Sequence, residues 1–590
     1  MSAPRPSRRS LLRGAAVTGT AAALSPLVTF SPARAATAGS YTLRYDLARQ
    51  QTILGLGFEI QSDSIGSGNN GLPDEVNGVP YDLTDSERTR FIEQMLKGGR
   101  ADRGFRYCRL AMGLYYRGLD PTRKFLRGRY PGQTAQLADM IRRAGIEGTS
   151  VEYWSPAPGW KSNDSYIGGK LASFDPDFLG RFGDALVADL DYLRAGGVPV
   201  SMWGLQNEPR FSTPYSSCVY SPSEYVAAFK AAASRIRAKY PEVMITADSL
   251  DGWHGAIGQA IKQDSTALSY VDAWTYHHIG ADSKQHQNPD EYTVGAAGKP
   301  VFNNEFEYLD NQTSDWRTIN TAQSIMNWMV FQDAPTWFWL HALKPTTNAE
   351  SPGYSLGFWR PPSDTDFSHF PDLPVGHWTW NPRNWNGVAG FVKYLPWDSV
   401  RYMVDESARL ENQRIMAWKT PAGKPVFAVT NRSATESFTY TVDTQTAAPF
   451  EGHRYGPSTN NLGLGFKTGP QLTITVPPLS VEFWVRTPDR APPPRPRGPP
   501  ARPASRLSPF GTQYKENAPW QDPGAACSPL FPWPPHARSP RPPAPAAPVP
   551  VPARRATGRA PSSSGPCRTG SGRTTRSSPS STSSTPPRTT

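Results

Sequence analysis

The sequence predicts an α/β protein in which a (β/α)8 TIM barrel is associated with an antiparallel β-sandwich domain. Three observations predict it. Across residues 55–385, short apolar runs alternate with amphipathic helical segments about eight times, the order of parallel strands joined by helical crossovers. From residue 386 the texture changes to alternating strands broken by Pro-Ala-Gly and Asn-Arg-Ser turns, which suggests an antiparallel sandwich. A doubly wound open sheet would carry a glycine-rich phosphate turn, and the one candidate, GLGFEI, lacks the helix start that should follow it.

The ends of the 590-residue chain are read separately because they distort its averages. Residues 1–35 run from RPSRRSLLRG through an apolar stretch to ARA, the layout of a secretory signal peptide, and Arg8-Arg9 resembles a twin-arginine export signal. The expected localisation is therefore extracellular. The apolar stretch is short and broken by Pro26, and no later run reaches the ~18 apolar residues that would suggest a membrane span. Residues 488–590 hold 27 of the 61 prolines, with 15 Lys+Arg against 3 Asp+Glu, and carry no apolar period. Such a segment cannot bury a core and is expected to be a disordered low-complexity tail. This tail alone matches the whole-chain charge of +12, which leaves the folded part slightly acidic and removes the basis for a nucleic-acid partner.

Between these ends the elements follow in order. SYTLRYDLARQQ, within residues 36–54, alternates like a sandwich strand and is expected to pair with the C-terminal sheet. TILGLGFEI is the first barrel strand, and TDSERTRFIEQML is a helix capped by Thr84 and Glu87. GFRYCRLAM and TSVEYW are the next strands. DPDFLGRFGDALVADLDYLRAGG is a helix stopped at Gly196-Gly197, and VPVSMWGLQNEP is strand four. Ser221, Pro222 and Glu224 have the spacing of a capping box. VMITADS, YVDAWTYHHIG, KPVFNNEFEY and PTWFWLHAL supply the remaining barrel strands, and residues 386–487 the sandwich. Cys108 and Cys218 show no CxxC spacing and are either one disulfide or two buried thiols.

In such a barrel, function gathers at the carboxyl ends of the strands. Strand two delivers Arg109 there, strand three Trp154, strand four Asn207 and Glu208, strand six Tyr276, His277 and His278, strand seven Glu305, and strand eight Trp337 and Trp339. Two carboxylates three strands apart among aromatics, an amide and an arginine suit glycoside hydrolysis, which needs one protonated carboxyl and one ionised carboxylate. Arg109 is expected to keep Glu305 ionised, and the charge of Glu305 to raise the pKa of Glu208. Asn207 is suited to hydrogen-bond a sugar 2-hydroxyl, and Trp154 and Trp339 to offer flat faces to sugar rings. Tyr276 faces either the sugar or the core. Glu307, two residues past Glu305, is a rival nucleophile by alternation. His277 and His278 point to opposite strand faces and lack an HExxH partner, so a hydrogen-bonded site histidine is favoured over a metal ligand. No metal and no cofactor are expected.

GLQNEP, CRLAMG, WSPAPGWKSN, YHHI and VFNNEFEY together resemble glycoside hydrolase family 30, a family of clan A retaining β-glycosidases. The resemblance spans residues 50–487 and implies a barrel packed against a sandwich built from an N-terminal strand and the C-terminal segment. It implies Glu208 as acid/base and Glu305 as nucleophile, with Arg109, Asn207 and His277 supporting them. Two departures stand out: GLGFE replaces the family's usual Gly-Phe-Gly, and Asn304 precedes the nucleophile where Ser or Thr is common. The implied partner is a β-linked polysaccharide or oligosaccharide, and the WGLQNEP context leans to β-1,6-galactan or β-1,6-glucan. Arg360 is the one candidate for reading a glucuronate, and residues 66–82 and 342–376 are expected to decide endo or exo action. A monomer is expected. The competing reading is a noncatalytic carbohydrate-binding protein that keeps the barrel as a scaffold.

Overall fold

The computed structural model describes residues 36–487, apart from 61–82, 101–102, 130–131, 310–313, 349–352, 362–363, 367 and 408. The export-type segment 1–35, the tail 488–590 and the cleft loop 66–82 therefore lie outside the described residues.

The first half of the chain contains β1 (Ala36–Ile53), β2 (Gly55–Ile60), α1 (Asp85–Phe91), β3 (Tyr107–Met112), the two-residue strands β4 (Gly118–Leu119) and β5 (Leu126–Arg127), α2 (Gln133–Ala144), β6 (Gly148–Tyr153), α3 (Pro176–Ala195), β7 (Val200–Gly204) and α4 (Pro222–Lys239). There follow β8 (Met244–Leu250), α5 (Ala256–Gln263), α6 (Ser265–Tyr270), β9 (Ala273–His277), β10 (Val301–Glu305), α7 (Trp316–Gln332), β11 (Thr336–Pro345), β12 (Ser355–Trp359), β13 (Trp378–Trp380) and α8 (Pro382–Tyr394). The last segment is all strand: β14 (Ser399–Glu406), β15 (Gln413–Lys419), β16 (Pro425–Asn431), β17 (Phe438–Asp443), β18 (Pro449–Gly456), β19 (Thr459–Thr468), β20 (Gln471–Val476) and β21 (Ser480–Arg486).

Helix boundaries follow local chemistry. Ser221 Oγ accepts from Glu224 N–H at 3.3 Å, and the Glu224 carboxylate accepts from Ser221 N–H at 2.9 Å, so α4 starts on a complete capping box with Pro222 at the first position. α3 stops where Gly197 takes φ +86, a left-handed conformation that glycine adopts without steric cost. At α1 only half of the expected device forms. Thr84 Oγ1 accepts from Glu87 N–H, but the Glu87 carboxylate turns to Arg90 and Thr84 N–H donates to Gly376 O instead. The helix then widens into a π turn over Ile92–Leu96.

The α/β part is built on a ten-stranded sheet in the order β10-β9-β8-β7-β6-β3-β2-β11-β12-β13. From β10 to β11 every neighbouring pair is parallel. The two ends of that parallel row approach each other at a bridge between Phe306 and Trp339, where Leu340 N–H donates to Phe306 O at 2.9 Å. The sheet is thus nearly barrel-like. Its interior explains one glycine: a Cβ on Gly57 would lie 2.2 Å from the Phe338 ring, which stacks 6.1 Å from both Tyr107 and Phe302. The small residue leaves the volume that the phenyl ring fills.

The second sheet has nine strands in the order β19-β18-β21-β16-β15-β14-β1-β17-β20. β1 lies inside it, antiparallel to β14 and parallel to β17, and then passes directly into β2. Its central strands read as nearly unbroken apolar runs because both faces are covered. On β15, Ile415 and Ala417 join a core belonging to this sheet alone, whereas Met416 and Trp418 join the large core of the α/β part. β16 splits the same way, with Phe427 and Val429 on one side and Val426 and Ala428 on the other. The contact between the two parts is close enough that a Cβ on Gly390 of α8 would lie 2.1 Å from Phe483 of β21. The change of texture expected at residue 386 falls inside α8, which belongs to the helical layer. The sheet resumes only at Ser399, because helix 382–394 spends its apolar face on the joint core.

Candidate active site

Glu208 follows β7 in a conformation set by the neighbouring strands. Asn207 N–H donates to Tyr153 O at 2.7 Å and Glu208 N–H to Ser249 O at 3.2 Å, so the segment continues the ladder between β6 and β8 after β7 has ended. Glu208 itself has φ +45, a left-handed value that an L-residue adopts at a cost of about 1 kcal/mol or more. Glu305 is the last residue of β10. One oxygen of each carboxylate and one ring nitrogen of His277 lie within 4.8 Å of one another. Both carboxylates line a cavity of about 360 Å³, with Asn207, Trp154, Tyr115, Tyr215, Glu59 and Lys344 among its other walls.

Arg109 organises the floor. Its side chain is fully buried, and Nη1 donates to Glu305 and, at 3.3 Å, to Glu59. Nη2 donates to Glu152 and to Asn207 Oδ1 at 2.7 Å, and Nε donates to Glu152 at 3.0 Å. Its face lies 4.5 Å from the Trp154 ring centroid. Three carboxylates thus converge on one guanidinium, and burial pushes the pKa of Glu59 well up against the opposing charge of Arg109.

His277 joins the two candidate catalytic carboxylates. Nδ1 is 3.0 Å from Glu208 Oε1, while Nε2 is 3.5 Å from Glu305 Oε2 and 3.1 Å from Ser249 Oγ, which also accepts from Asn304 Nδ2 at 2.9 Å. The expectation for the pKa of Glu208 is corrected here. Burial works to raise it, yet the His277 hydrogen bond, the His277 charge and Arg109 outweigh burial and lower it. His277 moves the other way: burial lowers its pKa, but Glu305 and Glu208 raise it further. The pair shares one proton, with the ionic form favoured. Among the described residues the same three form a donor set that could hold a cation, and Arg109 already supplies positive charge at Glu305.

Of the residues singled out in the sequence, Glu208, Glu305, Asn207 and Trp154 line the cavity, and Arg109 and His277 lie directly behind the carboxylates. Two others are corrected. Trp339 is fully buried and shares a strand face with Trp337; both rings pack on Phe306, with Tyr308 against Trp339, away from the cavity. Tyr276 is 1 % exposed, is bonded to His254 Nδ1 at 2.9 Å, and packs with Tyr292 and Trp328. His278 points the same way and pairs with His286 at 2.8 Å. Alternation along the strand sends Tyr276 and His278 outward and His277 inward. Arg360 is spent on its own loop, donating to the carbonyls of Phe370, Leu373 and Asp366. Glu307 also lines the cavity, is buried, and holds His341 Nδ1 at 2.5 Å. Cys108 and Cys218 are separate buried thiols. No helix among the described residues is long and apolar enough to cross a membrane.

Glu59, Glu152, Ser249, His341 and Lys344 were not singled out in the sequence. The signal was present for two of them: Glu59 and Glu152 are ionisable residues inside the apolar runs TILGLGFEI and TSVEYW, where burial demands a partner.

Parallel strands with facing carboxylates at their carboxyl ends place the fold in the class that glycoside hydrolases use. No protein-family model and no curated protein sequence matches the chain. Solved structures do match. The catalytic domain of xylanase C of glycoside hydrolase family 30 from Talaromyces cellulolyticus aligns at 17% identity over 76% of this chain and 100% of its own, with a TM-score of 0.57. A family 30 endoxylanase from Clostridium papyrosolvens aligns at 16% identity over 76% and 100%, with a TM-score of 0.54. An endo-β-1,6-glucanase aligns at 14% identity over 76% and 94%, with a TM-score of 0.55. The chain has a glycoside hydrolase family 30-like fold.

Proposed function

We propose that the chain is a retaining β-glycoside hydrolase that cleaves a β-linked polysaccharide or oligosaccharide, with Glu305 as nucleophile and Glu208 as acid/base. The ten-stranded sheet is read as a (β/α)8 barrel and the nine-stranded sheet as its sandwich. The observation that carries the reading is the approach of the two carboxylates to within 4.8 Å at one cavity. Retention requires carboxyl groups about 5 to 5.5 Å apart, whereas inversion needs room for a water between them.

Glu305, held by Arg109 Nη1, attacks the anomeric carbon. The glycosidic oxygen leaves with the proton that Glu208 and His277 share: Glu208 donates it, and the neutral His277 that remains no longer stabilises an extra charge on Glu305. The glycosyl-Glu305 ester is then attacked by a water whose proton returns to the Glu208–His277 pair, which restores the starting state. Trp154 presents an apolar wall to the ring, and Asn207, fixed by Arg109, has its amide nitrogen free to donate to the 2-hydroxyl.

Among substrates we favour β-1,6-linked galactan or glucan, a choice supported by the β-1,6-glucanase among the similar folds; xylan is the competing arm because two xylanases stand beside it. The enzyme acts as an exported monomer in this reading. A 2-deoxy-2-fluoro glycoside should label Glu305, detected by peptide mass spectrometry. Glu305→Gln should remove turnover, and Glu208→Gln should cost about 10²- to 10⁴-fold on natural linkages but far less on activated aryl leaving groups. Equal losses on both leaving groups would refute the acid role. Sugar binding without release from a β-glucan, β-galactan and xylan panel would favour the noncatalytic alternative.

A further inference from the structure

We propose that Glu59, His341 and Lys344 form a hydroxyl-reading subsite in the wall of the cavity, selecting a neutral sugar ring by its 4-hydroxyl and C6 hydroxymethyl groups. This rests on the glycosidase reading and deepens it. Glu59 and Lys344 both line the cavity and are 1 % and 6 % exposed, as is His341 beside them at 6 %. Glu59 Oε2 is engaged by Arg109, but Oε1 is buried and has no hydrogen-bond partner among the described residues. The nearest ring nitrogen of His341 is 3.7 Å away, beyond hydrogen-bond reach, while the other side of that ring is fixed on Glu307. An orphaned carboxyl oxygen in a cavity wall keeps its desolvation cost unless a ligand satisfies it.

The chemistry of the pocket wall specifies a neutral ligand. Burial pushes the carboxyl groups of Glu59 and Glu307 well up and the Lys344 amine down, so all three are driven toward their neutral forms, which match a hydroxyl better than a sugar carboxylate. A hydroxyl fits because it can both accept and donate. Placement follows from Arg109, whose Nη2 reaches Asn207 and whose Nη1 reaches Glu305 and Glu59. With the anomeric carbon at Glu305 and the 2-hydroxyl at Asn207, the ring edge that the proposal assigns to Glu59 is that of C4 and C6.

The test is a cycle between enzyme and substrate, using 4-nitrophenyl β-D-galactoside and β-D-glucoside with their 4-deoxy and 6-deoxy analogues. Wild-type kcat/KM should fall about 30- to 100-fold on each deoxy analogue of the better sugar. Glu59→Leu and Lys344→Met should each lose a similar factor on the full sugar and lose little further on one deoxy analogue, the non-additivity of a shared contact. Losses that multiply, with the same factor on full and deoxy sugars, would overturn the subsite. Thioglycosides of the same sugars, titrated calorimetrically, separate the two readings. If wild type neither turns over the glycosides nor is labelled at Glu305, the glycosidase reading fails. The subsite then stands if thioglycoside binding still discriminates the deoxy analogues through Glu59, and falls if it does not.

Discussion

Glu208 concentrates several constraints in one residue: its amide extends the β6–β8 ladder, its φ is +45, and its carboxylate shares a proton with His277. The left-handed backbone predicts a stability order that chemistry alone does not. Glu208→Gly should be more stable to chemical denaturation than Glu208→Ala by about 1 kcal/mol, with both inactive on poor leaving groups. A second prediction concerns acid. Burial pushes His286 down to about 4, with Asp282 opposing, and its partner His278 lies well below the usual histidine range. Near pH 6.5 the unfolded histidine begins to bind a proton that the folded one refuses. Stability is therefore full above pH 6.5, falls as pH drops toward 4, and flattens below it. His286→Gln should remove about 2 kcal/mol of that acid sensitivity, measured as the difference in unfolding free energy between pH 7 and pH 4.5. At this scale the sequence revealed residues whose strand position fixed their direction, such as Asn207, Glu208 and Glu305. It misled at Trp339 and Tyr276, because aromatic residues serve core and sugar equally and a bulge between Trp339 and His341 shifts the register. It left Glu59, His341 and Lys344 unseen because their meaning comes from contacts between β2, β10 and β11.

The elements obey local rules where solvent faces them and tertiary rules where it does not. The capping box at α4 was legible because Ser221 and Glu224 are partners by spacing alone. The π turn after α1 was not, since nothing in IEQML departs from helical periodicity. The sandwich strands gave away their existence through alternation, but the unbroken runs RIMAW and PVFAV signal burial on both faces rather than one. The end of the helical layer was misplaced because α8 and the strands after it are comparably apolar. Gly57 offers the test of an element: Gly57→Ala drives a methyl group into Phe338, and should lower unfolding free energy by about 1–3 kcal/mol. Gly57→Ala combined with Phe338→Leu should recover part of that loss, read by thermal denaturation.

On the scale of the molecule, alternation of strand and helix conveyed the α/β architecture, and the basic ends explained a charge that the folded part does not carry. What no local pattern conveys is the sequence distance of the pairings. β1 lies between β14 and β17, roughly four hundred residues away in the chain, and leads without interruption into β2. The first described strand made by the ribosome therefore has no partner until β14 has been synthesised, after the whole α/β part. Nascent chains stalled at residue 398 should be digested readily by protease, and those released after residue 487 should resist it. Resistance in the shorter chain would mean that the α/β part completes itself before β14 is translated.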